Sequence, residues 1–86
     1  MHEFTGFERS VRSAEDLGEV VRARRREHRL TQEDVALLVG SHRNQIRSIE
    51  RGEATERLTL LLRVVNELGL DLVIRPRDAG RGLGQR

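Results

Sequence analysis

The side chains best suited to chemistry stand close together between residues 42 and 48. His42, Arg43, Asn44, Gln45, Arg47 and Ser48 offer cationic donors, amides and a hydroxyl. That set fits the edges of DNA bases and the phosphates beside them. Arginine bonds guanine O6 and N7 as a pair, and asparagine does the same at adenine N6 and N7. The set does not fit covalent catalysis, which needs a Ser, Thr or Cys beside an oriented base. Glu33 and Asp34 are adjacent on one predicted helix and point apart, so they are not an acid–base pair. An ordinary solvated polar face is the bland alternative, and the surrounding pattern favours DNA contact.

Positioning that flank falls to two short helices joined by a tight turn over residues 30–52. Val35, Leu38 and Val39 fall at i, i+3, i+4, and Ile46 and Ile49 at i, i+3, so each helix is given one apolar stripe. Gly40 supplies the backbone freedom the turn needs. In such a pair the second helix enters the major groove while the first crosses the phosphate backbone.

The remaining elements follow from caps and periods. Ser13 with Asp16 matches a capping box, and Thr31 with Asp34 repeats the signal. The first helix therefore starts near Ala14 and runs to about His28, with Leu17, Val20 and Val21 inward. Thr55 caps a further helix whose Leu58, Leu61, Leu62, Val65 and Leu68 form a wide apolar face. Gly69 and Leu70 read as a left-handed stop. Leu70 to Arg75 alternates like a strand, with Leu70, Leu72 and Ile74 on one side, and Pro76 ends it. Residues 1–12, with Phe4, Phe7 and Val11, read either as a short helical stripe or as an extended arm. Five helices at most and one strand are expected. The boundaries are an arm over 1–13, a core over 14–69, a strand over 70–76 and a frayed, flexible glycine-rich tail over 77–86.

A single strand leaves backbone groups open and invites a second chain. Leu60 and Val64 also lie off the main apolar face of the last helix. These residues, with Leu70, Leu72 and Ile74, predict a twofold homodimer in which strand meets strand. Pairing of 70–75 with the N-terminal arm of the same chain is the alternative.

Composition bounds the rest. Eighty-six residues make one small domain, too few for an enclosed catalytic cleft of ordinary size, so no enzyme and no cofactor are expected. The chain has no cysteine, and its three histidines are scattered, so no metal site is expected either. No run reaches the length of a membrane span, and the start lacks the order of a signal peptide. A soluble, cytoplasmic protein is the expectation. All sixteen basic residues are arginine, which inflates the isoelectric point. Residues 17–51 hold eight arginines against five carboxylates, the largest excess along the chain. The Arg24-Arg25-Arg26 run spreads around its helix, since successive residues point about 100° apart; solvation and salt bridging account for it.

Residues 14–69 resemble the XRE/Cro-type helix-turn-helix domain of bacterial and phage repressors. The match is carried by Leu17-Gly18, Val21 to Arg25, Leu30-Thr31-Gln32-Glu33, Val35-Ala36, Gly40, Ile46 and Ile49-Glu50-Arg51-Gly52. With the ending Leu70 to Arg75, the chain is most similar to small HipB-like antitoxins. The resemblance implies a mostly α fold: a four- to five-helix, lambda-repressor-like bundle with a short C-terminal strand pairing across a dimer. It implies base reading by Arg43, Asn44, Arg47 and Ser48, and backbone or flanking contacts by Gln32, His42, Gln45, Arg51 and Thr55. It implies a structural ion pair between Arg25 and Glu50. Three positions depart from it. Arg29 stands where the family has glycine, so either it is strained or the turn differs. Ser41 replaces a small aliphatic, which loosens the core or caps the third helix. His42 replaces a capping hydroxyl.

The implied partners are a palindromic double-stranded operator, a second copy of the chain and a HipA-like kinase toxin, with no membrane. Repression of its own gene as the antitoxin of such a pair is the leading reading. A stand-alone XRE-type regulator, a toxin inhibitor with secondary DNA binding, and a helix-turn-helix fold that only dimerises are the others.

Overall fold

The computed structural model describes residues 8–77. The readings of Phe4 and Phe7 and of the tail beyond Arg77 fall outside those residues. Within them the order is β1 (Arg9–Val11), α1 (Ala14–Glu27), α2 (Gln32–Val39), α3 (Arg43–Glu50), α4 (Glu56–Glu67) and β2 (Leu72–Ile74).

Each helix start reflects its local chemistry. Ser13 Oγ accepts the Asp16 N–H at 3.1 Å, but the Asp16 carboxylate accepts from Arg12 at 2.9 Å rather than from Ser13, so that box is shifted by a residue. Thr31 and Asp34 close a complete box, with bonds of 3.0 and 2.8 Å. The Thr31 backbone N–H, and then its hydroxyl, hold the Asp34 carboxyl below its usual range. Thr55 Oγ1 accepts from the Leu58 N–H at 3.2 Å.

The four helix ends share one closure. The N–H groups of Leu30, Ser41, Glu53 and Leu70 reach back to the carbonyls of Arg25, Ala36, Ser48 and Val65. The residue before each is left-handed: Arg29 at φ 58°, then Gly40, Gly52 and Gly69. Arg29 therefore takes the strained alternative, at about 1 kcal/mol.

Packing centres on α3, against which both α1 and α2 lie, while α4 and β1 rest on α1. Gly18 permits the α1–α3 approach. A Cβ there would fall on the Ile49 carbonyl oxygen and lie 2.8 Å from that of Glu50.

Among the described residues the buried apolar side chains are Val11, Ala36, Ile46 and Leu62, and this corrects three expected stripes. In α2 the buried residue is Ala36; Leu38 and Val39 are exposed, with Leu37 beside them. In α3 Ile46 is inside and Ile49 is 42% exposed. In α4 Leu62 is buried and Leu58 and Val65 are half-buried, whereas Leu61 and Leu68 face outward. Leu17, Val20 and Val21 are half-buried. The last two, with Val35 and Ile74, line a cleft of about 250 Å³ between the helices and the strands.

The strand also departs from expectation. β2 pairs antiparallel with β1 of its own chain, Arg9 opposite Ile74, Ser10 opposite Val73 and Val11 opposite Leu72. The arm is thus extended here, and it is held in place: Asn66 Nδ2 donates to the Arg12 carbonyl at 3.2 Å, and Arg75 lies 3.9 Å from the Glu8 carboxylate. The premise of a strand without a partner in its own chain fails. Among the described residues, a two-stranded ribbon still leaves one open edge on each strand.

Candidate nucleic-acid interface

The polar flank is carried by α3, an eight-residue helix pinned from behind. Ile46 is buried, so the opposite side of the helix must face out. Arg43, Asn44, Gln45 and Arg47 are all exposed, and Ser48 is half-buried at the edge. His42 is the N-cap residue, with extended backbone and no side-chain cap bond. Its imidazole is exposed beside the flank. Ser41 does not cap α3; it is half-buried, and its N–H closes α2 on the Ala36 carbonyl at 2.8 Å. The helix is therefore short, oriented by one buried side chain, and open along the row that resembles a base-reading surface.

The flanking residues occupy different settings. Arg51 is exposed at the end of α3, 3.8 Å from Glu53, a surface pair of little energetic worth. The Thr55 hydroxyl accepts the Leu58 N–H as the cap of α4. Gln32 is the first residue of α2 and half-buried. Its Nε2 donates to Glu50 Oε1 at 3.1 Å, so the side chain is not simply extended toward solvent.

Glu50 is the centre of a charged cluster. Arg25 Nε donates to its Oε2 at 2.6 Å and Arg25 Nη2 to its Oε1 at 3.0 Å. Arg25 Nη1 donates to the Leu30 carbonyl at 2.8 Å. Only 13% of the Arg25 side chain and 3% of the Glu50 side chain are exposed. Burial pushes the Glu50 carboxyl upward, but hydrogen bonds from Arg25 and Gln32 and the charges of Arg25 and Arg22 outweigh it and hold the group below its usual range. The same pairing raises the Arg25 guanidinium. The cluster ties α1, the α1–α2 connection, α2 and α3 together. Sequence reading had placed Arg25 with Glu50 but missed Gln32 as a third member; nothing in the spacing signals that contact. It also missed what Gly18 does, since the α3 carbonyls that it admits come from residues more than thirty positions away.

The residues expected at a dimer interface divide. Leu60 and Val64 are exposed and share a shallow apolar depression on α4 with Leu68. Leu70 and Leu72 are exposed as well. Ile74 is half-buried in the cleft beside Val20 and Val21 of its own chain. No helix among the described residues is long and apolar enough to cross a membrane. None of their His, Asp and Glu side chains form a group of three or more that could hold a metal ion.

Against known proteins, a family model described as helix-turn-helix matches residues 21–74, more than half of the chain and all of α2, α3, α4 and β2. No curated protein matches the chain.

Proposed function

The chain belongs to the helix-turn-helix family of the XRE type, a family of DNA-binding regulators, and on that premise we propose that it is a sequence-specific repressor acting as a homodimer on a palindromic operator. The observation that carries this reading is the pinned α3, with Ile46 buried and Arg43, Asn44, Gln45 and Arg47 outward. Arg43, Asn44, Arg47 and Ser48 read base edges. Gln32, His42, Gln45, Arg51 and Thr55 meet phosphates or flank the read bases. The amino end of α2 adds backbone N–H groups and a positive dipole for a phosphate.

Support for the dimer is energetic. Few apolar side chains are buried among the described residues, and the row Leu60, Val64, Leu68 remains open to water. Covering it returns about 25 cal/mol per Å². Leu70 and Leu72 extend the exposed apolar residues beyond α4, and the free edges of the ribbon can extend its ladder. Two copies would set their α3 helices about 34 Å apart, one turn of duplex.

The finer reading is an autoregulating antitoxin with a HipA-like kinase toxin as partner. It is supported by the strand after α4, a feature shared with HipB-like chains. No catalytic step is assigned to this protein. Co-purification with the product of a neighbouring gene tests the antitoxin role; an isolated gene favours a stand-alone regulator.

Selection of bound fragments from random duplex DNA tests the central reading, since it reports site, symmetry and half-site spacing together. We expect two inverted half-sites. Arg43→Ala is expected to remove discrimination between the selected site and a scrambled duplex in a gel shift. Full selectivity in that variant overturns the assignment of Arg43 to base reading.

A further inference from the structure

We propose that Glu50 is a positioning residue for a DNA phosphate: its carboxylate holds the Gln32 amide at the amino end of α2, in register with the base-reading flank of α3. This rests on the DNA-binding reading above and adds what sets the spacing between two of its contact points.

Glu50 is the last residue of α3, so its backbone moves with the reading helix. Its Oε1 accepts from Gln32 Nε2 at 3.1 Å and from Arg25 Nη2 at 3.0 Å. Arg25 also donates to the Leu30 carbonyl, two residues before Gln32. The start of α2 is thereby fixed to the end of α3 twice, by the Gln32 side chain directly and by the backbone through Arg25. The Gly18 contact holds the same end of α3 against α1, since no Cβ separates that helix from the Ile49 and Glu50 carbonyls.

A glutamine amide has two N–H donors. Glu50 takes one and leaves the other for a phosphate oxygen. A free glutamine loses rotamer entropy when it binds, and one already held by Glu50 has lost it on folding. With the Glu50 side chain almost fully enclosed, water competes poorly for these bonds. A purely structural cluster would tie the helices together and leave the phosphate contact no different from that of an untethered glutamine.

The test uses the full chain and a duplex selected from random DNA, in which single phosphates are replaced in turn by neutral methylphosphonates. Wild type is expected to lose about fivefold in affinity at the phosphate met by Gln32, the size of one hydrogen bond. Gln32→Ala is expected to become insensitive at that phosphate alone. Glu50→Gln is expected to become insensitive at the same phosphate while keeping its preference for the selected bases. Full sensitivity at that phosphate in Glu50→Gln overturns the proposal. Should Glu50→Gln fail to fold, nuclear magnetic resonance on wild type still tests whether Glu50 holds the Gln32 amide, without which the proposal falls. The Gln32 side-chain amide is expected to exchange with water several-fold more slowly than that of exposed Gln45, and equal rates overturn the proposal. If wild type selects no duplex, the DNA reading itself falls and takes this proposal with it. Binding with an unchanged phosphate profile in Glu50→Gln removes the proposal alone.

Discussion

Arg29 and Gly18 show how much a single residue decides in a domain this small. At Arg29 the backbone is left-handed, as at the three glycines that close the other helices, but here a Cβ crowds the carbonyl. Arg29→Gly is expected to raise stability by up to about 1 kcal/mol, less what glycine adds to the disorder of the unfolded chain. Urea unfolding measures the change, and a lower midpoint would show that Arg29 makes interactions worth more than its strain. Gly18 works in the opposite sense. Gly18→Ala forces a methyl group onto the carbonyls of Ile49 and Glu50 and is expected to cost about 1–3 kcal/mol, the range of overpacked cores. Midpoints of urea unfolding check this too.

Between elements, the governing interaction is the buried cluster of Arg25, Glu50 and Gln32. Glu50 is held ionised below the usual carboxylate range, so its folded value lies under its unfolded one. Its contribution is therefore fully present above the unfolded range of about 4.3 and is lost as pH falls through the folded value. Asp34 is shifted in the same direction by Thr31 and adds to the slope. Thermal melts are expected to fall on acidification through the carboxylate range. Glu50→Gln is expected to be less stable at neutral pH and to lose less on going to acid. A midpoint that rises toward acid pH would contradict the sign. Removing one partner of such a pair costs about 3–5 kcal/mol, because the other charge stays buried.

At the scale of the whole molecule, the surface of α4 turned away from the core is apolar in part. Leu60, Val64 and Leu68 lie in a row along α4, and Leu70 and Leu72 continue the exposed apolar residues toward and into β2. Contiguous exposed apolar patches of this kind mark interaction sites. Replacing Leu60 and Val64 together by aspartate is expected to shift sedimentation equilibrium toward the monomer mass and to weaken DNA affinity by losing the second half-site. An unchanged mass in the double variant would place the interface elsewhere. The same comparison separates the two uses of the C-terminal strand, since a dimer that survives depends on the ribbon edges instead.

The elements legible in advance were those set by neighbours within about six residues. Thr31 and Thr55 cap where their side-chain oxygens predict, the left-handed turns fall at Gly40 and Gly69, and the strand ends before Pro76. The polar flank of α3 was legible for the same reason, because one buried Ile46 fixes which side of a short helix turns outward. What the apolar period left open is which of several leucines faces inward. Leu38, Leu61 and Leu68 fit their stripes and yet lie in water, because burial depends on which other element arrives opposite them.

By itself, then, the sequence determined the helices, their ends and the polar row that α3 turns outward, all of them consequences of local hydrogen bonding and period. Only the tertiary structure decided that β2 pairs with β1 across more than sixty residues, that Gln32 joins Arg25 on Glu50, and that Gly18 lets α1 touch α3. Those contacts join residues far apart along the chain. Their geometry is set by how whole helices pack, and no pattern of spacing within one segment encodes it.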